Sequence, residues 1–271
     1  MNSGDPRPCE AGFVFALETE ADPLGGMVRG TTSLRGALEV HEGLLAGRRI
    51  AWVVGGAGMA AAARAADLLV AGHRPHRLVS AGFAGGLDAG IPRGTIVAAT
   101  HARRAGSPDI ALQPLHCPGI RRVGSIVTVD GVVTTTSAKR ALAGASDAAV
   151  VDMETYAVAR VAAAAGLPCL SIRVVSDAAD DELPDDIARL VAPQSALRRA
   201  GAALAAIGRK PAAAATLWRL WERAVIDGRA LAVVIEREAA TWPAAGGTMP
   251  AAPLTDGRRG ASPGPRGEDR P

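Results

Sequence analysis

The sequence predicts an α/β fold of three layers, helix, sheet and helix, around a central mixed, twisted sheet. Short β-type runs end in glycine-rich or acidic turns and alternate with alanine-rich stretches that favour helix. Hydrophobic residues make up 48% of the chain but aromatic ones only 3%, so the core is expected to consist of Ala, Val, Leu and Ile. A chain of 271 residues is long enough to bury such a core.

Six strands and four helices follow from this pattern. The strands are expected at Ala11–Leu17, Ile50–Val54, Arg77–Ala81, Gly94–Thr100, Gly124–Val129 and Leu170–Ser176. The helices are expected at Met59–Ala71, Ala138–Ala143, Thr155–Ala165 and Ala196–Ile207.

We expect the main domain to span residues 10–208, followed by a helical C-terminal extension over residues 209–239. Residues 240–271 are rich in Gly and Pro and lack apolar periodicity, which predicts a disordered tail.

Charge and cysteine usage exclude several classes of protein. The net charge is only +3, and few aromatic side chains are available for base stacking, so no nucleic-acid partner is expected. The three cysteines are scattered, which fits a reducing compartment and argues against disulfides or a zinc site. The sequence shows no signal peptide, and its longest uncharged stretch is too short to span a membrane. We expect a soluble, cytoplasmic protein without metal or cofactor.

Two acidic residues lie at the ends of predicted elements. Glu154 stands directly before a helix, and Asp177 follows six mostly apolar strand residues. Ligands of open α/β sheets bind outside the carboxyl ends of strands, so Asp177 is expected to face such a crevice. Breaking a ribosyl bond requires an anion near the sugar and an acid on the departing base, and these carboxyl groups could divide the two roles.

Burial beside apolar strand residues would favour the protonated form of Asp177 that an acid needs. The alternative interpretation is structural: Asp177 caps the next helix and Glu154 opens its own, since acidic residues are favourable at helix N-termini.

Four ordered motifs resemble those of the nucleoside phosphorylase superfamily. They are A-L-E-T-E at residues 16–20, A-G-F-A-G-G-L at 81–87, V-D-M-E at 151–154 and V-S-D at 175–177. The resemblance extends from about Ala11 to Ala205 and is greatest to the methylthioadenosine/S-adenosylhomocysteine nucleosidases and the hopanoid-associated nucleoside phosphorylases. It implies a homodimer that cleaves the N-glycosidic bond of a 5′-substituted, adenosine-type purine nucleoside.

The resemblance also implies roles for individual residues. Glu154 would bind the ribose hydroxyls, Asp177 would protonate the purine N7, and Glu20 would direct the attacking water. Arg173 and Ser176 would orient Asp177. The candidate binding residues are Met153, Glu154, Ser176, Val132, Val133, Gly82, Phe83 and Ala84, with Arg173 as a supporting residue.

Hydrolysis is favoured over phosphorolysis. Glu20 suits water activation and would repel phosphate, and Phe83 replaces a hydroxyl residue that contacts the anion in many members of the superfamily. The alternative is phosphorolysis of the same bond, as in the hopanoid-associated enzymes, with phosphate as the second substrate. Trp218 and Trp221 could then form an apolar mouth for a 5′ substituent.

A more distant alternative is a non-catalytic nucleotide-binding protein, which the loss of an acidic site residue would mark, but Glu20, Glu154 and Asp177 are all present. A dinucleotide site is a separate alternative. Residues 56–61 match the dinucleotide fingerprint G-x-G-x-x-A, but the next predicted strand, Arg77–Ala81, provides no acid for a ribose. A tight turn between strand and helix is therefore the favoured interpretation of these glycines.

Overall fold

The computed structural model describes residues 8–184 and 211–242, and for residues 211–220 it describes the backbone alone. In these ranges the strands are β1 (Ala11–Phe15), β2 (Arg29–Arg35), β3 (Glu39–Leu45), β4 (Arg48–Val54), β5 (Leu78–Gly86), β6 (Ile96–Arg103), β7 (Ile110–Ala111), β8 (Arg121–Thr128), β9 (Val150–Asp152) and β10 (Cys169–Asp177). The helices are α1 (Glu18–Gly25), α2 (Met59–His73), α3 (Thr136–Ser146), α4 (Thr155–Ala164) and α5 (Pro211–Thr241).

All of these strands belong to one mixed sheet, in the order β10-β6-β8-β9-β5-β1-β4-β3-β2, with β7 paired to β6. β10 also pairs with β5, so the part of the sheet from β5 to β10 closes on itself. Strands β1, β5 and β10 run parallel, which brings their carboxyl ends to the same edge. The short β9 runs antiparallel to β5 and reaches the glycines at the end of that strand.

Alternate residues of the central strands face different helices. On β1, Val14 packs in the core cluster that contains α2 and α4, whereas Phe13 and Phe15 pack in the cluster that contains α1 and α5. Successive strand residues point to opposite faces, so an apolar run such as β1 fills both layers of core at once. Each fully buried side chain of this size contributes about 1.5–3 kcal/mol to stability. The predicted three-layer arrangement is therefore present.

The predicted elements within the described ranges all exist, with ends that differ by a few residues. The predicted helix Ala196–Ile207 and residues 243–271 of the predicted tail lie outside those ranges. Sequence reasoning missed α1, the hairpin β2–β3, β7 and β9. Every residue of β2 is exposed and the strand has no apolar alternation, and β9 is only three residues long, so neither carries a hydrophobic pattern.

Two acidic residues of α5, one near its middle and one near its carboxyl end, fix the helix to the rest of the molecule. Its fully buried Glu238 accepts hydrogen bonds from the backbone N–H groups of His116 (2.8 Å) and Cys117 (2.9 Å). Asp227 pairs with Arg93 at 2.6 Å. The segment predicted as a helical extension thus forms a wall of the core. Over the described ranges, no helix combines the length and apolarity needed to cross a bilayer.

The contact between α5 and α1 predicts that Gly228→Ala destabilises the protein. Alanine in place of glycine normally stabilises a helix by about 1 kcal/mol. Here a Cβ at position 228 would collide with the carbonyl oxygen of Thr19 on α1. We expect the free energy of unfolding, measured by chemical denaturation, to fall by about 1–3 kcal/mol.

Ala230→Leu is the matched control, because position 230 is exposed on the same helix and has room for a larger side chain. Its free energy of unfolding should stay near that of the unchanged protein. A Gly228→Ala variant more stable than the unchanged protein would show that α5 does not pack this closely on α1.

Candidate active site

A cavity of about 240 Å³ opens at the edge of the sheet where β1, β5 and β10 end. Glu154 and Asp177 both line it, so two acids that are 23 residues apart in sequence face the same space. Most of the candidate site residues line this cavity, and among these are Glu20, Glu154, Asp177, Met153, Ser176, Val132, Val133, Phe83 and Ala84. Gly82 and Arg173 are the two candidates that do not line it.

Glu154 lies at the N-terminus of α4 but does not cap that helix with its side chain. Its Oε1 instead accepts a hydrogen bond from the backbone N–H of Gly58 at 2.9 Å. The cap is provided by Asp152, whose Oδ2 accepts from the N–H of Thr155 at 2.9 Å. Burial, followed by the negative charge of Asp152, raises the pKa of Glu154 to about 7. Glu154 thus opens α4 as its N-cap residue without a side-chain capping bond, and it also lines the cavity.

Glu20 is held by three backbone N–H groups. Oε2 accepts from Ala16 and Leu17, both at 2.9 Å, and Oε1 accepts from Phe83 at 2.8 Å. These bonds and the nearby Arg173 favour the carboxylate, but burial outweighs them and raises the pKa of Glu20. The side chain is 2% exposed, so it is not a solvated acid at the end of a strand.

Asp177 ends β10 and is 6% exposed. Its Oδ1 accepts a hydrogen bond from Ser176 Oγ at 2.7 Å, as predicted. Its Oδ2 lies 2.6 Å from Lys139 Nζ, an ion-pair contact rather than a well-directed hydrogen bond. Lys139 was not predicted from the sequence, because it lies on α3, 38 residues before the acid that it meets.

Arg173 does not contact Asp177, contrary to its predicted role. Its Nη2 lies 2.6 Å from Asp152 Oδ2, and its Nη1 lies 3.8 Å from Glu154 Oε2. Four residues along an extended strand correspond to about 13 Å, so a side chain at position 173 serves a different part of the cavity. Arg173 supports the two acids at the start of α4 instead.

Gly82 does not line the cavity, and two ionisable side chains, Glu20 and Arg173, lie close to its Cα. A Cβ at this position would lie 2.5 Å from Glu20 Oε1 and 2.6 Å from Arg173 Nη1. No side chain fits there without moving one of these groups. Gly82 therefore makes room for the side chains of Glu20 and Arg173, and Phe83 and Ala84 line the cavity.

The glycines at 56 and 58 form the tight turn predicted from β4 into α2. Both have positive φ, +93° and +96°, which L side chains rarely adopt. The turn presents the N–H of Gly58 to Glu154, which explains the glycine pattern without a dinucleotide. On the opposite side Val132 and Val133 form part of an apolar wall.

Helix α5 supplies three lining residues that sequence reasoning did not assign: Arg223, Ala224 and Asp227. Asp227 pairs with Arg93, and Arg93 also donates from Nε to the carbonyl of Ser176 at 2.9 Å. Burial raises the pKa of Asp227, although Arg93 and Arg223 both act against that rise. The sequence signal that could have identified these residues is the pattern of charged side chains along α5. Trp221, proposed for the mouth, is 52% exposed and lies on a different surface.

A family model described as the phosphorylase superfamily matches residues 10–118 and 116–208. The chain belongs to the phosphorylase superfamily. Among curated proteins, it is 27% identical over 199 residues to a 5′-methylthioadenosine/S-adenosylhomocysteine nucleosidase of Actinobacillus succinogenes, a match that covers 63% of this chain and 86% of that relative.

Solved structures share the fold of this superfamily member. The 5′-methylthioadenosine/S-adenosylhomocysteine nucleosidase of Neisseria meningitidis, in complex with methylthio-immucillin-A, has a TM-score of 0.66 at 18% identity, covering 86% of this chain and 99% of that chain. Futalosine hydrolase of Helicobacter pylori has a TM-score of 0.64 at 14% identity, covering 88% and 99%. The predicted superfamily and its nucleoside phosphorylase-like α/β fold are confirmed.

The raised pKa of Glu154 predicts a pH-dependent effect of Glu154→Gln on stability. Between about 4.5, the ordinary glutamate value, and about 7, the folded protein retains a proton that the unfolded chain releases. The contribution of this group to the free energy of unfolding therefore falls as pH rises through that window. Glutamine removes the dependence, so we expect the variant to gain stability relative to the unchanged protein between about pH 5 and about pH 8.

Urea denaturation at both pH values measures this difference. Glu18→Gln is the control, because Glu18 is exposed on α1 and its replacement should give no such trend. A stability difference for Glu154→Gln that is the same at both pH values would contradict a raised pKa at this site.

Proposed function

We propose that this superfamily member is an enzyme that hydrolyses the N-glycosidic bond of a 5′-substituted, adenosine-type purine nucleoside. The observation that carries the proposal is the convergence of Glu20, Glu154 and Asp177 on one cavity. Relatives named as nucleosidases and as a futalosine hydrolase support it.

The reaction requires two separate charges to be stabilised. As the bond between the anomeric carbon and the base breaks, the sugar becomes positive and the bonding electron pair moves to the purine. Glu154 holds the ribose hydroxyls on the sugar side, with Met153 beside them. Asp177, oriented by Ser176, gives its proton to N7 and so neutralises the departing base.

Water completes the reaction. Glu20 lies on a separate element from Asp177 and accepts a proton from the water whose oxygen bonds to the anomeric carbon. The products are the free purine and the sugar, and the proton taken by Glu20 replaces, through solvent, the proton lost by Asp177. Val132 and Val133 provide an apolar wall for the purine.

Hydrolysis fits the charges around Glu20 better than phosphorolysis does. Arg173 is 1% exposed and occupied by Asp152, and Arg93 is paired with Asp227. Phosphate would have to displace one of these pairs while approaching two carboxyl groups. Phe83 provides no side-chain donor for an anion. Phosphorolysis of the hopanoid-associated type is therefore the less favoured alternative.

We also propose a cytoplasmic homodimer. The resemblance to the nucleosidases supports the dimer. Cys9, Cys117 and Cys169 are free and buried, which fits a reducing compartment.

Asp177→Asn tests the acid. General acid catalysis contributes about 10²–10⁴ in rate, so turnover should fall at least about 10²-fold in an assay of adenine release from 5′-methylthioadenosine. Because the substitution leaves Lys139 without its carboxylate, the thermal unfolding midpoint is measured alongside. Asp180→Asn, an exposed position in the same segment, is the control and should keep its turnover. Full turnover in folded Asp177→Asn would end this assignment.

Adenine release with and without inorganic phosphate tests the nucleophile. We expect the rate to be independent of phosphate and to fall in Glu20→Gln, because an amide cannot accept the proton of water. The fall should be about 10²-fold or more, while Glu18→Gln on the same helix keeps the rate. Strict dependence on phosphate would favour phosphorolysis over hydrolysis.

A further inference from the structure

Lys139 is a buried lysine whose ammonium group contacts the segment around Asp177. Its side chain is 1% exposed. Nζ donates to the carbonyl oxygens of Ala178 at 2.6 Å and Asp181 at 2.9 Å, and it lies 2.6 Å from Asp177 Oδ2. The two carbonyl oxygens accept hydrogen bonds from the ammonium group, and Asp177 forms an ion-pair contact with it. Lysine is rarely buried without a paired charge, and Asp177 is the charge that it meets here.

The position of Lys139 is unfavourable for its own helix. It stands near the amino end of α3, where the helix dipole disfavours a cation. The segment after Asp177 returns to this end of α3, where Leu183 N–H donates to the Thr134 carbonyl at 2.9 Å. The lysine therefore ties β10, its following segment and α3 together, with Asp177 at the centre.

Other ionisable groups of the cavity have partners of their own. Glu20 is held by backbone N–H groups, Asp152 and Glu154 face Arg173, and Asp227 of α5 faces Arg93 and Arg223. Asp181 uses Oδ2 to accept from the N–H of Ala178. Among the described residues, the side chains of Ser176 and Lys139 contact the carboxyl group of Asp177.

We propose that Lys139 is a positioning residue that holds the carboxyl group of Asp177 in place for proton transfer to the purine. The inference rests on the proposed role of Asp177 as the acid. The ammonium group lies 2.6 Å from Asp177 Oδ2 and also binds the carbonyl oxygens of Ala178 and Asp181, so it fixes both the carboxyl group and the backbone that follows it. Ser176 fixes the other carboxyl oxygen.

The test compares kcat and KM of Lys139→Met and Lys139→Arg for adenine release from 5′-methylthioadenosine. Without the ammonium group, Ser176 alone fixes the carboxyl group of Asp177, and a misplaced catalytic group lowers the rate. The kcat of Lys139→Met should therefore fall by about 10–10²-fold, whereas KM should change little. Lys139→Arg keeps a cation at this position and should keep most of kcat.

Two further variants separate positioning from folding. Lys139→Gln retains N–H donors for the carbonyls of Ala178 and Asp181 but carries no charge for the carboxyl group of Asp177, so its kcat should fall as in Lys139→Met and its folding should be less affected. Arg140→Met removes a cation from the neighbouring, exposed position of α3 and should leave kcat and KM unchanged. An unchanged kcat in folded Lys139→Gln, or a rise in KM without a fall in kcat, overturns the inference.

Combining Lys139→Gln with Asp177→Asn distinguishes this inference from the proposed function. If Lys139 acts through Asp177, its replacement should not lower the rate of the Asp177→Asn enzyme further. A further loss in the double variant would overturn the inference alone. Full turnover in Asp177→Asn would instead remove the assigned acid, and with it the basis of both proposals.

Discussion

The arrangement of Glu20, Asp152 and Glu154 depends on Arg173, a buried cation that lies near these three carboxyl groups. Its guanidinium group contacts Asp152 and approaches Glu154. Glu20 Oε1 and Arg173 Nη1 both lie next to the space that a Cβ at Gly82 would occupy. A single positive charge cannot balance three ionised carboxylates in a region that excludes water. The pKa values of Glu20 and Glu154 are accordingly raised, with burial as the largest cause of each rise.

This shortage of positive charge suits the proposed chemistry. A sugar that becomes cationic between Glu154 and Glu20 would supply the charge that the resting site lacks, so its stabilisation grows as the glycosidic bond breaks. An anionic nucleophile would add to the surplus of negative groups instead. The same arrangement that raises the carboxyl pKa values thus favours neutral water over phosphate, and Arg173 is too buried to alter that balance.

The sequence identified site residues where a local pattern fixes their place in the fold. Glu154 and Asp177 could be placed because each ends an apolar strand or begins a helix, and parallel strands bring such ends together. The hairpin β2–β3 could not be predicted, because β2 is exposed throughout and lacks an alternation of apolar and polar residues. Lys139 and Asp227 were also not identified from the sequence. Lys139 pairs with Asp177 and Asp227 pairs with Arg93, and in both pairs the partners are too distant in sequence for a local rule to connect them. For the same reason Arg173 was assigned to its neighbour in sequence rather than to Asp152.

The two ends of the cavity come from different parts of the chain. Glu20, Glu154 and Asp177 lie within residues 10–208, the region that matches the superfamily, whereas Arg223 and Asp227 lie beyond it on α5. The groups proposed to carry the reaction therefore lie in the part of the chain that matches the superfamily, and the outer wall is built on a segment outside that match. Since α5 is fixed by Asp227 near its middle and by Glu238 near its carboxyl end, this wall is part of the folded core. We expect differences in 5′ substituent between this enzyme and its relatives to arise at this wall, independently of the acids.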